Sequence, residues 1–351
     1  MSDKVLMKGN EAIAEAAITA GCRHYFGYPI TPQTEIAAYM AKRMPKIGGT
    51  FLQAESEIAA INMVYGVSST GHRVMTSSSS PGISLKGEGL SYLAGADLPA
   101  LVVNVQRGGP GLGGIQPSQS DYFQATKGGA HGDFHMIVLA PSSVQEMADL
   151  TVKGFELADK YRMTSMILAD GTMGQMMEPV AFPEFKERTE DLGWTFDGTN
   201  RPHGRIENPE KPGFVRNKIK TMEENEQQWE SYMVEDAEYI FVAFGLPSRT
   251  TRNAVEQLRA KGEKVGLIRP ITVWPFPAKA FAEAKGDIKG LISVESTDAG
   301  QLIEDVALTA KKTGHGNAPV YGLFSGQNIP KTKEIIEYFE GIKAGQMKEV
   351  F

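Results

Sequence analysis

The chain has 351 residues, more than twice the roughly 150 typical of one domain, which predicts two domains and an ample core. With 41% hydrophobic and 22% charged residues and 38 glycines it has the composition of an ordinary soluble α/β protein, and collagen-like, coiled-coil and low-complexity classes are excluded. The net charge of -6 gives no electrostatic footprint for nucleic acid, no apolar run approaches the ~20 residues that span a bilayer, and Met1-Ser2-Asp3-Lys4 leads into no signal-peptide core, so a cytoplasmic protein is expected.

A βα rhythm runs through the first half. Asn10 is placed to cap a helix with Ile13, Ala16, Ala17 and Ala20 at helical spacing, ending at Gly21. A strand near Tyr25–Tyr28 follows, then a helix with Thr31 as its cap and Pro32 in its first turn, then a strand near Phe51–Gln53. A helix from about Glu57 carries Ile58, Ile61 and Tyr65 on one face. Short apolar runs at Arg73–Thr76, Leu101–Val105, Met136–Leu139 and Met166–Ala169 suit a buried parallel sheet, with helices near Ile83–Ala94 and Ser143–Lys160 between them. From about Gly171 to Glu235, prolines 179, 183, 202, 209 and 212 break the rhythm into a long connection. Alternation resumes with strands Tyr239–Phe244, Val265–Ile268, Leu291–Glu295 and Val320–Leu323 and helices Thr250–Ala260 and Leu302–Lys311. The expected division is therefore 1–235 and 236–351.

Cys22 is the single cysteine, so this chain alone holds neither an iron–sulfur cluster nor a structural disulfide. His131 and His135 have the spacing of a helical zinc pair, but Gly132 and the strand at Met136–Leu139 argue against that helix, and no metal site is expected.

In open α/β sheets ligands collect beyond the carboxyl ends of strands, which directs attention to four segments. In Gly27-Tyr28-Pro29-Ile30-Thr31-Pro32 the Thr31 hydroxyl either caps a helix or faces a ligand. Gln53-Ala54-Glu55-Ser56-Glu57 puts carboxylates at a helix start, where the dipole favours their charge; the functional alternative is a glutamate that exchanges a proton with a heterocycle. Thr76-Ser77-Ser78-Ser79-Ser80-Pro81-Gly82 offers hydroxyls and backbone N–H groups before a helix. Arg107-Gly108-Gly109-Pro110-Gly111-Leu112-Gly113-Gly114 places a guanidinium, suited to a carboxylate, after an apolar strand. Its glycines satisfy G-x-G-x-x-G, but Ile115-Gln116-Pro117-Ser118-Gln119-Ser120-Asp121 continues as a loop where a nicotinamide-binding fingerprint opens a helix.

Taken together, Tyr28-Pro29-Ile30-Thr31-Pro32, Ser56-Glu57-Ile58-Ala59-Ala60, the Thr76–Gly82 turn, Arg107-Gly108-Gly109-Pro110-Gly111 and His131-Gly132-Asp133 resemble, in order and spacing, the α subunit of the 2-oxoacid:ferredoxin oxidoreductases. The second half resembles that family's transketolase-C-terminal-like domain through Ile268-Arg269-Pro270-Ile271-Thr272-Val273-Trp274-Pro275 and Val294-Glu295-Ser296-Thr297-Asp298-Ala299-Gly300-Gln301-Leu302. The resemblance implies a parallel-sheet domain of the thiamine-diphosphate pyrimidine-binding type, then a smaller transketolase-C-terminal-like α/β domain. It implies oxidative decarboxylation of a 2-oxo acid, with electrons passed to iron–sulfur clusters and the acyl group captured by coenzyme A.

By motif position Glu57 is the glutamate that hydrogen-bonds N1′ of the cofactor's aminopyrimidine, Thr31 and Arg107 meet the substrate's oxo group and carboxylate, and Tyr28, Pro29, Ile30 and Ser79 line the cofactor. No Gly-Asp-Gly occurs, so the half-site holding Mg²⁺ and the diphosphate is expected on a β subunit; the lone cysteine likewise places the [4Fe-4S] clusters on other subunits, and γ and ferredoxin-like δ subunits and ferredoxin are the further partners that the resemblance implies. The segments Val5–Glu11 and Pro110–Asp121 look most like the branched-chain, 2-oxoisovalerate type. No second basic residue beside Arg107 suggests a second substrate carboxylate, so an apolar side chain is favoured, with 2-oxoglutarate, an aryl 2-oxo acid or a non-catalytic scaffold as alternatives. Glu55, His131 and Asp133 receive no role.

Overall fold

The computed structural model describes residues 4–185, 192–196 and 214–351. Its strands are β1 (Val5–Lys8), β2 (His24–Gly27), β3 (Thr50–Gln53), β4 (Val74–Ser78), β5 (Ala100–Gln106), β6 (Ile137–Leu139), β7 (Thr164–Asp170), β8 (Met177–Val180), β9 (Trp229–Tyr232), β10 (Tyr239–Val242), β11 (Val265–Pro270), β12 (Thr272–Trp274), β13 (Gly290–Glu295) and β14 (Val320–Phe324). The first sheet has the order β12-β6-β7-β5-β4-β2-β3, parallel except for β12. β5 and β7 lie at its centre in register from Ala100 opposite Thr164 to Gln106 opposite Asp170, and every residue of both is buried. Strands covered on both faces read as continuous apolar runs, which is why these were visible in the sequence.

The second sheet has the order β14-β13-β10-β11-β9, with only β9 antiparallel. Among the described residues, no helix is long and apolar enough to cross a membrane.

Several local expectations are corrected. The segment read as a connection from 171 holds the short helix Gly171–Gln175, strand β8 antiparallel to β1, the helix Phe214–Asn225, and β9 on the second sheet; residues 186–191 and 197–213, with three of its prolines, lie outside the described residues. β12, from the second half of the chain, pairs with β6 of the first sheet. Asn10 does not cap its helix: the helix is Gly9–Thr19, and Asn10 Nδ2 donates inward to the Pro32 carbonyl at 2.8 Å and to Glu35 at 2.9 Å. Thr31 is not a cap either, because the helix after it is Thr34–Arg43 with Gln33 before it. Ile58 is 50% exposed while Ile61 is buried, so the buried stripe of that helix runs through Glu57, Ala60, Ile61 and Val64.

One apolar core runs from the first sheet into the second, drawing on residues as far apart as Ile13, Val103, Ile240 and Ile303. Arg269 adds an ionic tie between the halves, meeting Glu146 through two N–H groups at 2.7 and 2.8 Å and Glu230 at 3.0 Å.

Candidate active site

The parallel strands β2, β3, β4, β5 and β7 all end on one edge of the first sheet, so the segments that follow them converge there. Glu57 opens the helix Glu57–Ser69 after β3, with Ser56 Oγ accepting from the Ala59 N–H at 3.1 Å as its cap. The Glu57 side chain is only 5% exposed. It faces Gly82 in the first turn of the helix Pro81–Gly95: a Cβ there would lie 2.6 Å from Glu57 Oε1 and 2.1 Å from Ser78 Oγ. Glycine is thus what lets the Glu57 carboxylate and the Ser78 hydroxyl converge on that turn. The hydroxyls of Thr76, Ser78 and Ser79 are buried without a hydrogen-bond partner, a cost that proteins normally avoid unless a ligand supplies the partner.

Lys86, four residues after Gly82, is fully buried, and its Nζ reaches the Glu57 carbonyl at 3.5 Å. Burial pushes its pKa down to about 8, opposed by the negative charge of Glu57. Sequence reasoning passed over it, although Ile83, Lys86, Leu90 and Leu93 form a core-facing stripe in which a lysine stands out.

The loop after β2 sits on a buried polar chain. Tyr25 Oη lies 2.7 Å from Ser77 Oγ, which donates to Gln33 Oε1 at 2.5 Å, and Gln33 Nε2 donates to the Tyr28 carbonyl at 3.3 Å. Above it Tyr28, Pro29 and Thr31 are exposed and Ile30 is half-buried. A Cβ at Gly171, following β7, would lie 2.8 Å from the Pro32 ring, so β7 also braces this loop.

Arg107, buried at the end of β5, donates through Nη1 to the Thr31 carbonyl at 3.0 Å and through Nη2 to the Leu112 carbonyl at 2.7 Å, while its buried Nε has no partner. The glycine loop beyond it has no helix until Tyr122–Thr126, in accord with the rejection of a nicotinamide fingerprint. The second half of the chain reaches this loop: a Cβ at Gly108 would lie 2.2 Å from Gln327 Oε1.

The expected residues Tyr28, Pro29, Ile30, Thr31, Glu57, Ser79 and Arg107 therefore all follow neighbouring strand ends on the one edge. Glu55 is exposed. His131 and Asp133 lie instead at the far end of the helix Pro81–Gly95, lining a cavity of about 130 Å³ with Ala94, Gly95 and Asp97. His135 stacks on Trp274 at 4.6 Å, and among the described residues no cluster of metal-ligating side chains occurs.

Two family models match the chain: pyruvate flavodoxin/ferredoxin oxidoreductase, thiamine diphosphate-binding, over residues 15–240, and pyruvate:ferredoxin oxidoreductase core domain II over residues 237–335. The ketoisovalerate oxidoreductase subunit VorB of Methanothermobacter marburgensis is 50% identical over 315 residues, 87% of this chain and 89% of its own length. The 2-oxoglutarate synthase subunit KorA of Methanocaldococcus jannaschii is 39% identical over 344 residues, 87% of this chain and 92% of its own. The 2-oxoglutarate:ferredoxin oxidoreductase from Magnetococcus marinus, solved with 2-oxoglutarate, coenzyme A and succinyl-CoA bound, matches 96% of this chain at TM-score 0.83 and 29% identity, and this chain spans 65% of that one. A split-gene transketolase, at TM-score 0.62 and 13% identity over 98% of this chain, shares the fold alone. With one family model over well more than half its length and half of its aligned residues identical to VorB, the chain belongs to the 2-oxoacid:ferredoxin oxidoreductase family, as an α-type subunit.

Proposed function

We propose that this chain supplies the pyrimidine side of a thiamine diphosphate site that, with coenzyme A, converts 2-oxoisovalerate to an acyl-CoA, CO2 and reduced ferredoxin. The observation that carries the reading is the convergence of the buried Glu57 carboxylate and the unpartnered Ser78 hydroxyl on the turn at Gly82, beside the buried, unpartnered hydroxyls of Thr76 and Ser79 in the same segment. An aminopyrimidine presents both donors and acceptors, and these groups fit it. When bound, thiamine diphosphate supplies the carbon nucleophile and stabilises the negative charge left by decarboxylation. Glu57 holds a proton at N1′, the Thr76, Ser78 and Ser79 hydroxyls orient the ring, and Tyr28, Pro29 and Ile30 form its wall. Arg107 receives the substrate carboxylate and Thr31 its oxo group, the assignment that suits a guanidinium fork and a hydroxyl donor.

An apolar substrate side chain fits the loop beside Arg107, where Leu112 and Ile115 are the exposed large residues. The 50% identity to a ketoisovalerate oxidoreductase subunit supports the same choice. We assign residues 1–235 to the pyrimidine-binding domain and 236–351 to the transketolase-C-terminal-like domain, exchanging β9 and β12 between their sheets. The absence of Gly-Asp-Gly from the sequence supports a β subunit that holds Mg²⁺ and the diphosphate, and the single cysteine supports [4Fe-4S] clusters on other subunits of a cytoplasmic complex that includes γ and ferredoxin-like δ subunits.

The test is anaerobic, coenzyme A-dependent reduction of a viologen dye by the natively purified complex, offered 2-oxoisovalerate, pyruvate, 2-oxoglutarate and phenylglyoxylate in turn. Preference for 2-oxoisovalerate is expected. Preference for 2-oxoglutarate would keep the reaction and overturn the substrate, and no reduction by a complex containing thiamine diphosphate and iron would overturn the reaction itself.

A further inference from the structure

The segment Ser118–Phe123 is gripped from two sides. On one side is the second domain. The Gln119 N–H donates to the Ser296 carbonyl at 2.8 Å, the Ser296 N–H donates back to Gln119 Oε1 at 3.1 Å, and Gln119 Nε2 donates to the Phe244 carbonyl at 2.9 Å. Gln301 accepts from the Phe123 N–H at 2.7 Å and donates to the Ser120 carbonyl at 2.7 Å, and Tyr122 Oη donates to Asp305 at 2.6 Å.

On the other side is the substrate edge of the first sheet. The buried Asp121 carboxylate accepts from Ser80 Oγ at 2.6 Å and from Asn104 Nδ2 at 2.9 Å. Ser80 Oγ also lies 3.2 Å from the Arg107 carbonyl, but its single proton goes to the nearer and charged Asp121. That leaves its lone pairs to accept the Arg107 N–H at 3.1 Å. Ser80 itself is held at φ 26°, where a side chain is strained, and such a conformation persists only when its surroundings over-determine it. Asp121 on its hydroxyl, and Asn104 Oδ1 on its N–H at 3.2 Å, do so.

We propose that Asp121 is a positioning residue for Arg107: through Ser80 it fixes the Arg107 backbone, and through its flanking residues it refers that position to the second domain. This rests on the reading that Arg107 receives the substrate carboxylate. The guanidinium emerges from a backbone whose N–H is tied to Ser80, so a shift in that tie moves the fork away from the carboxylate and weakens its charge-assisted hydrogen bonds to the substrate. The second domain, which contributes none of the residues assigned to the cofactor, thereby acquires a part in substrate binding. Burial pushes the Asp121 carboxyl up, and Ser80, Asn104 and the charge of Arg107 oppose it, so the carboxylate and the guanidinium also favour each other electrostatically.

The test uses the assembled complex carrying Asp121→Asn, Gln301→Ala, Arg107→Ala, or Asp121→Asn with Arg107→Ala. kcat and KM are measured for 2-oxoisovalerate, and thiamine diphosphate affinity is measured by fluorescence quenching without substrate. Asp121→Asn is expected to raise KM about tenfold, and Gln301→Ala about threefold, with cofactor affinity and kcat changed less than about twofold. Added to Arg107→Ala, Asp121→Asn should cost less than about another twofold, because both act through one contact. Cofactor affinity falling in step with KM would make Asp121 merely structural and overturn the inference, as would a full tenfold effect persisting in the Arg107→Ala background. Should Asp121→Asn fail to assemble, Gln301→Ala decides, since an unchanged KM there breaks the link to the second domain. An Arg107→Ala complex with unchanged KM overturns the substrate reading. A raised KM in Arg107→Ala beside normal values in the other two overturns this inference alone.

Discussion

The Arg107 guanidinium donates to the carbonyl of Thr31 at 3.0 Å, so the loop after β5 and the loop after β2 are held by a single side chain. A second N–H is committed to Leu112, and the buried Nε has no partner. A lysine carries the charge but not the fork, and it cannot serve two carbonyls and a carboxylate together. Arg107→Lys should therefore raise KM for the 2-oxo acid about 10- to 100-fold, the equivalent of one charge-assisted hydrogen bond. Steady-state kinetics of the complex measure this, and a KM within twofold of the parent would remove Arg107 from substrate binding.

Gly82 keeps the room that the Glu57 carboxylate and the Ser78 hydroxyl share. An alanine Cβ would lie 2.6 Å from Glu57 Oε1 and 2.1 Å from Ser78 Oγ, both on buried side chains, so they must move to admit it. Overpacking a buried site costs about 1–3 kcal/mol, more than the roughly 0.5–1 kcal/mol that alanine gains over glycine in a helix. Gly82→Ala should therefore lower the melting temperature and lower turnover at least about tenfold, because Glu57 is displaced. Glu57→Gln should lower turnover on the order of 10²–10⁴-fold. Normal turnover in Glu57→Gln would end its proposed role.

How much of this was legible depended on where the information lay. Leu101–Val105 could be read as a buried strand because its neighbours cover both faces, and the helix at Glu57 because Ser56 is a local cap. Strand β9 is half-buried along its whole length, and β12 is three residues long; both are antiparallel additions whose partners lie far away in sequence, so no local pattern announces them. Asn10 has the chemistry of a cap, but its side chain is spent on Pro32 and Glu35, a tertiary contact that overrides the local preference. The site segments were found by their position after strands and their chemistry. Asp121 stands in the sequence as one polar residue of a loop, and nothing near it signals Ser80, 41 residues away.

Lys86 gives a pH signature. Its pKa of about 8 in the folded chain lies below the ordinary 10.5, so between those values the unfolded chain binds more protons and stability rises with pH. Below about pH 8 the full cost of burying the charge is present. Lys86→Met should stabilise the purified chain by on the order of 1–3 kcal/mol at pH 7, with the gain shrinking toward pH 10.5. Urea unfolding at several pH values follows this, and identical slopes for the two proteins would show that Lys86 is not the titrating group.

Asp170 has the opposite sign. It ends β7 and caps the helix Gly171–Gln175, accepting from the Met173 N–H at 3.0 Å. Complete burial lifts its carboxyl to about 6, against the pull of the Met173 and Thr172 N–H groups, from an ordinary 3.8. In that window the folded chain binds more protons than the unfolded one, so stability falls as pH rises from 3.8 to 6 and the full penalty stands above it. Asparagine caps a helix as well as aspartate and carries no charge. Asp170→Asn should therefore stabilise the chain by about 1–2 kcal/mol at pH 8 and by nothing near pH 3.5, the reduction from the linkage value reflecting an amide that must find its own partner. Equal melting temperatures at pH 8 would show that the carboxyl is ionised there without cost. A stabilised but slower enzyme would mean that the charge beneath the Thr31–Pro32 loop, which Gly171 braces, is kept for activity at the expense of stability.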